Sequence, residues 1–339
     1  KMTFDGKEKL TYECELCGHH GEENIESSTR LKLPWRMDWP MRWAFEKVDF
    51  EPGGKDHSSQ GGSYTTAKEI VKKVYDWDAP VYLQYDFVSI KGSGGKMSSS
   101  KGDLVTVDDV LKVYEPEMIR WIFASYKSNV DFSISFDLDA IKTYEDFDRQ
   151  ERLAYGLEEG NDKKIEMAKR VYELSMIDEM PSQCPFQPSF RHLCNVLQIF
   201  EGNLEKTFKA YSAEIKNPRD ERRLKERSDR ALFWLENYAP DEFKFKLNTN
   251  LDSIKIDSSI VPFFHKLKEV FTVEWQSFTS DKILHEKLYE LIHEFKLEPS
   301  DVFRNFYQLL IAQDKGPKLA SFILTIGSDK ILSLLSLVR

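Results

Sequence analysis

Lys96-Met97-Ser98-Ser99-Ser100-Lys101-Gly102 is the stretch on which the reading of this chain turns. Two lysines bracket a run of hydroxyls, behind Gly92-Ser93-Gly94-Gly95 and ahead of Asp103. Positive charge, small donors and glycine together predict a loop that closes over a polyphosphate. Two commoner phosphate motifs fail on spacing. A P-loop ending at Gly95-Lys96 needs its first glycine at Ile90 and a hydroxyl residue at Met97. A dinucleotide fingerprint starting at Gly92 needs its third glycine at position 97, again methionine. The competing reading is a surface loop that is merely rich in Ser, Lys and Gly.

The flanks place this loop in a fold. Thr65 to Tyr75 carries Ala67, Ile70, Val71 and Val74 at helical spacing. Pro80 then opens a β-rich run, Val81 to Ile90, that leads straight into the glycines. Helix, strand and loop in that order belong at the carboxyl edge of a parallel sheet, where such folds hold their ligands. Beyond the loop, Thr106 caps one helical pattern and Pro116 opens another. From about residue 136 strand signals nearly vanish, and amphipathic stretches alternate with Pro and Gly breaks. The sequence therefore predicts an α/β part followed by a mostly all-α region. Its segments are a small polar module over 1–30, the loop-bearing α/β part over 31–135, and helices over 136–339.

At 339 residues there is room for two or three domains, and 31% charged with 41% hydrophobic residues is an ordinary globular balance. No run approaches the ~18 apolar residues of a membrane span, and nothing near the start reads as a secretory signal. Four cysteines (Cys14, Cys17, Cys184, Cys194) fit a reducing cytoplasm better than a disulfide scaffold. Opening on Lys1, the chain reads as a piece of a longer protein. A net charge of −9 argues against indiscriminate nucleic-acid binding but leaves room for a local basic face. Arg219, Arg222 and Arg223 form one candidate and Phe243-Lys244-Phe245-Lys246 another. The competing reading for both is a packed, solvated helix or strand.

Three tryptophans fall within nine residues, Trp35-Arg36-Met37-Asp38-Trp39-Pro40-Met41-Arg42-Trp43. Aromatic clusters are usually core, yet here acid and base interleave them. Gly53-Gly54-Lys55-Asp56-His57 follows, and its glycines allow backbone to approach a ligand closely. Cys14-Glu15-Leu16-Cys17 has metal-ligand spacing, half of a tetrahedral zinc site that His19 or His20 would extend locally.

Together these segments resemble class I lysyl-tRNA synthetases: a cysteine pair, a Trp-x-x-Asp-Trp-Pro-x-Arg-Trp segment, Gly-Lys-Asp-His, and a KMSSSKG form of the KMSKS loop. Phe303 to Leu310 and Lys315-Gly316-Pro317-Lys318-Leu319 are similar to the closing helical segment shared with glutamyl-tRNA synthetases. The resemblance implies a Rossmann-like nucleotide-binding remnant with an all-α region that contacts the tRNA stem and anticodon. It implies L-lysine, ATP with Mg2+, and tRNA(Lys) as partners, a cytoplasmic setting without a membrane, and lysyl-adenylate chemistry. Lys96, Ser98, Ser99 and Lys101 would be catalytic, with Lys96, Met97 and Lys101 on ATP. The general signature has lysine where this chain has Ser99, so Lys101 is expected to take that role. Trp35, Asp38, Asp56, His57 and Tyr85 would bind the amino acid, with Glu46 a second source of counter-charge for its ammonium. Gly53, where glutamyl enzymes carry an arginine, would spare that ammonium a like charge. The resemblance puts a second cysteine pair upstream for a structural zinc.

No HIGH motif occurs in the chain, so it is expected to be a fragment that forms no lysyl-adenylate alone. The alternatives are a glutamyl-tRNA synthetase-like enzyme and a non-catalytic tRNA-binding module.

Overall fold

Turn signals after residue 30 divide the α/β part into short elements, and the parallel pairing of two of them decides its architecture. The computed structural model describes residues 1–92, 104–250 and 254–338. Two compact units emerge, Lys1–Val88 with Lys127–Phe132, and Ser89–Tyr126 with Ser133–Arg339.

The first unit begins with β1 (Met2–Phe4), β2 (Lys9–Glu13) and β3 (His20–Asn24) in one antiparallel sheet. Tyr12 pairs with Gly21. A Cβ at Gly21 would stand 2.2 Å from the tyrosine ring, so only glycine fits under it. Next come α1 (Trp35–Glu46), β4 (Phe50–Gly54), α2 (Lys55–Ser58), α3 (Ser63–Tyr75) and β5 (Val81–Tyr85). β4 and β5 pair in parallel, from Phe50 opposite Val81 to Gly54 opposite Tyr85, and α2 and α3 supply the crossover that a parallel pair requires.

The period of two along each strand gives this sheet unlike faces. Glu51, Gly53 and Tyr82 point toward the helices, where Trp39, Trp43, Ala67 and Val71 form the core. Phe50, Val81, Leu83 and Tyr85 share the other face and are all exposed. α1 holds Pro40 inside it, which removes one helix hydrogen bond. Burial of Trp39, Pro40 and Trp43 offsets that loss.

β6 (Val88–Ile90) pairs with β7 (Phe132–Ile134), each belonging to the second unit from its second residue onward, and between them lie α4 (Val107–Leu111) and α5 (Pro116–Ser125). Thr106 and Asp109 close a capping box on α4, and Pro116 sits in the first turn of α5, both as the sequence predicts. The chain is helical thereafter: α6 (Asp139–Ala154), α7 (Asp162–Ser175), α8 (Phe190–Ile199), α9 (Leu204–Ala210), α10 (Pro218–Asn237), α11 (Val261–Glu274), α12 (Asp281–Glu294), α13 (Pro299–Ile311), α14 (Leu319–Ile326) and α15 (Ser328–Leu335). The expected α/β-then-α order is therefore what forms.

α5 to α10 pack together as a bundle, in which the Tyr144 ring of α6 stacks on Phe190 of α8 at 3.9 Å. α11 to α15 enclose a phenylalanine- and leucine-rich core that includes Phe263, Phe264 and Phe306. A charged cluster lies inside the first bundle. Arg227 is fully buried, donates to Asp148 and to the Pro188 carbonyl, and pairs with Glu115. Arg223 reaches Glu151 at 2.8 Å, and Tyr172 donates to the same carboxylate.

Candidate active site

Tryptophans four residues apart stand on one face of a helix, so Trp35, Trp39 and Trp43 form a stripe along α1. Burial grades along it: Trp43 is 1% exposed, Trp39 6% and Trp35 49%. The core reading therefore applies to Trp39 and Trp43, while Trp35 stands half exposed. Trp43 is core, and its indole N–H donates to Glu51 of β4 at 2.9 Å. Trp35 stacks on Trp39 at 5.1 Å and leaves its outer part open to solvent.

β4 ends at Gly54, and α2 begins at once with Lys55-Asp56-His57. This short turn brings the His57 ring to 5.9 Å from Trp39 and 6.3 Å from Trp35. His57 also lies 3.9 Å from the Asp56 carboxylate. Tyr85, at the end of β5, borders Gly54. Five predicted residues thus fall on α1, the β4–α2 turn and the end of β5 within one unit. Asp38 is already engaged, accepting from Arg42 at 2.9 Å, and Glu46 lies 3.7 Å from the same guanidinium. A bound cation would share Asp38 with Arg42.

Supporting residues escaped the sequence reading. Tyr82 stacks on Tyr64 at 3.7 Å and shares a hydrogen bond with Ser58 of α2. Asp86 accepts from Lys55 at 2.9 Å, and the Lys55 ammonium with the Phe87 N–H holds its carboxyl below the usual range. These contacts anchor both ends of the Asp56-His57 turn. The only signal available was Tyr82's inward place in the strand alternation.

Gly53 has a reason the sequence did not reveal. A Cβ there would stand 1.9 Å from the Tyr82 hydroxyl, so the ring and the missing side chain occupy one space. Gly53→Ala is expected to displace Tyr82 from Tyr64 and destabilise the protein by about 1–3 kcal/mol. Urea melts check it, and an alanine variant as stable as the parent would contradict this packing.

Lys96, Met97, Ser98, Ser99 and Lys101 lie outside the described residues. Cys14 and Cys17 occupy the β2–β3 turn, where the N–H groups of Cys17 and Leu16 hold the Cys14 thiol below its ordinary pKa. Among the described residues no group of three His, Cys, Asp or Glu side chains is placed to hold a metal ion.

The two basic candidates resolve residue by residue. Arg219 and Arg222 are exposed at the start of α10, whereas Arg223 is only 11% exposed and is tied to Glu115 and Glu151. Phe245 is buried in the helical core while Lys244 is partly exposed and Lys246 exposed, a packed and solvated irregular segment. No helix among the described residues is long and apolar enough to cross a membrane.

Comparison with known proteins follows this geometry. A protein of Borrelia garinii subsp. bavariensis named lysine–tRNA ligase is 43% identical over 341 residues, covering 98% of this chain and 63% of its own. Its namesake in Borreliella burgdorferi is 44% identical, covering 96% and 62%. That of Thermococcus kodakarensis is 37% identical, covering 99% and 64%. The chain thus spans just under two thirds of the length of these relatives. The family profile described as "tRNA synthetases class I (K)" matches residues 2–178, more than half of the sequence. By that match the chain belongs to the class I tRNA synthetases (K).

Proposed function

We propose that this chain serves a class I lysine–tRNA ligase, which attaches L-lysine to tRNA(Lys) through lysyl-adenylate formed from ATP with Mg2+. The observation that carries the reading is the half-open aromatic box of Trp35, Trp39 and His57 in a member of this family. Lysine offers an apolar stem and an ammonium. An indole face attracts both, the ammonium by cation–π interaction worth ~0.5–2 kcal/mol. Asp38 supplies counter-charge beside Arg42, the Asp56-His57 turn borders the same box, and Tyr85 follows beside Gly54 at the end of β5.

Activation is an in-line attack of the amino-acid carboxylate on the α-phosphate, with pyrophosphate leaving. Lys96 and Lys101 supply positive charge against that leaving group, with Ser98 and Ser99 as donors. Segment 1–30 acts as a zinc-knuckle-like insertion through Cys14 and Cys17, 31–135 as catalytic α/β part, and 136–339 as the tRNA-contacting region. Arg219, Arg222, Lys244 and Lys246 serve there as phosphate contacts, a role that their access to solvent supports.

Two measurements test the reading. L-lysine should quench the tryptophan fluorescence of this chain, and L-glutamate should not. An equal response to glutamate would remove the lysine assignment, and silence toward both would remove the box. In a lysylation-competent protein containing this chain, Lys96→Ala and Lys101→Ala should each lower kcat by about 10²–10³. Undiminished lysylation by both variants would sink the role of the loop.

A further inference from the structure

We propose that Asn195 of α8 is a base-reading residue for an unpaired RNA nucleotide, seated in a groove between α8 and the loop before α14. The inference rests on the tRNA partner proposed above and names the residue that discriminates. Two adjoining cavities of ≈ 490 and ≈ 210 Å³ carry it, and both are walled by Arg191, Asn195 and Pro317. Asn195 therefore stands at their junction. Its side chain is half-buried and makes no hydrogen bond to any other described residue. A carboxamide in that position presents both a donor and an acceptor with no described residue to satisfy them.

The rest of the groove fits a heterocycle better than a polyanion. Arg191, Lys315 and Lys318 are balanced by Glu145, Asp281 and Glu242. Such a mixed lining, neutral in sum and varied in donors and acceptors, suits a base edge. Phe322 and Phe245, which meet edge to face at 5.2 Å, supply apolar floor to the two cavities. Lys315 and Lys318 are exposed at the rim, where a sugar–phosphate chain leaving the groove would pass.

The wall is also held in place without a ligand. The Tyr307 hydroxyl donates to the Pro317 carbonyl at 2.6 Å, and Gln313 donates to the Lys244 carbonyl at 2.8 Å. Gly316 lies so close to the Tyr307 ring that a Cβ would stand 2.8 Å from it. A pre-set wall spares the ordering entropy that a floppy loop would lose on binding.

The test measures binding of this chain to a lysine tRNA transcript and to transcripts with single replacements in the unpaired loops. The parent should discriminate at one loop position at least tenfold. Asn195→Ala should reduce that ratio to near one without shifting the melting temperature. Asn195→Asp, which keeps the shape but loses the donor, should change which base is preferred. Lys315→Ala and Lys318→Ala should weaken every transcript alike and flatten the salt dependence. Parent-like discrimination by both Asn195 variants overturns the proposal and leaves tRNA binding standing. Loss of all tRNA binding by the parent overturns both readings.

Discussion

Arg227→Ala will lower the stability of the helical unit by about 3–5 kcal/mol, because it strands Asp148 as a buried, unpaired charge and leaves Glu115 with Arg223 alone. Arg222→Ala, one residue before Arg223 on the same helix yet exposed, should stay within ±0.5 kcal/mol. Urea melts followed by circular dichroism compare the two, and similar midpoints would refute the cluster's role. Acid sensitivity has the same origin. Burial pushes the Glu115 carboxyl up, but Arg223 and Arg227 outweigh it and bring it to about 2, below its ordinary 4.5. A carboxylate depressed on folding contributes stability that is complete above its unfolded value and lost as pH falls toward the folded one. The parent should therefore weaken between about pH 4.5 and 2. Arg227→Ala should begin to fail at higher pH.

The second large effect divides one helix. Trp43→Ala should cost about 3–5 kcal/mol, since the ring is buried and its loss leaves Glu51 without its donor. Trp35→Ala should change stability by less than about 1 kcal/mol, because half the side chain is already exposed. Its effect should fall on lysine affinity, up to about 30-fold if the cation–π contribution is fully lost. Thermal melts and fluorescence titrations separate the two quantities. A Trp35 variant that melts early while binding lysine normally would invert the assignment.

Local signals were legible in the sequence because their chemistry is local. The Thr106 cap and Pro116 at the start of α5 each depend on neighbours three residues away at most. Trp35 and Asp56-His57 were legible as candidates because indole, carboxylate and imidazole between glycines are unusual company. The arginines of α10 were not. Acids interleave them as they would on a solvated helix, and Lys225 with Asp229 does form such an exposed pair. What buries Arg227 is a pair of carboxylates 112 and 79 residues away, which no window along the helix contains. Gly53 was legible as permissive but not as obligatory, since the ring that excludes a side chain belongs to another strand.

The bare side of the β4–β5 ribbon carries a practical consequence. Parallel sheets are ordinarily covered on both faces, yet Phe50, Val81, Leu83 and Tyr85 meet water, with Val81 72% exposed. Among the described residues the two strands also leave two open backbone edges, the pattern that invites like ribbons to zip together. The surplus negative charge keeps copies apart only at low ionic strength, where its repulsion reaches far. Colloidal behaviour, more than folding, then limits how concentrated this chain can be kept, and structure-stabilising salts that strengthen apolar association narrow that limit further.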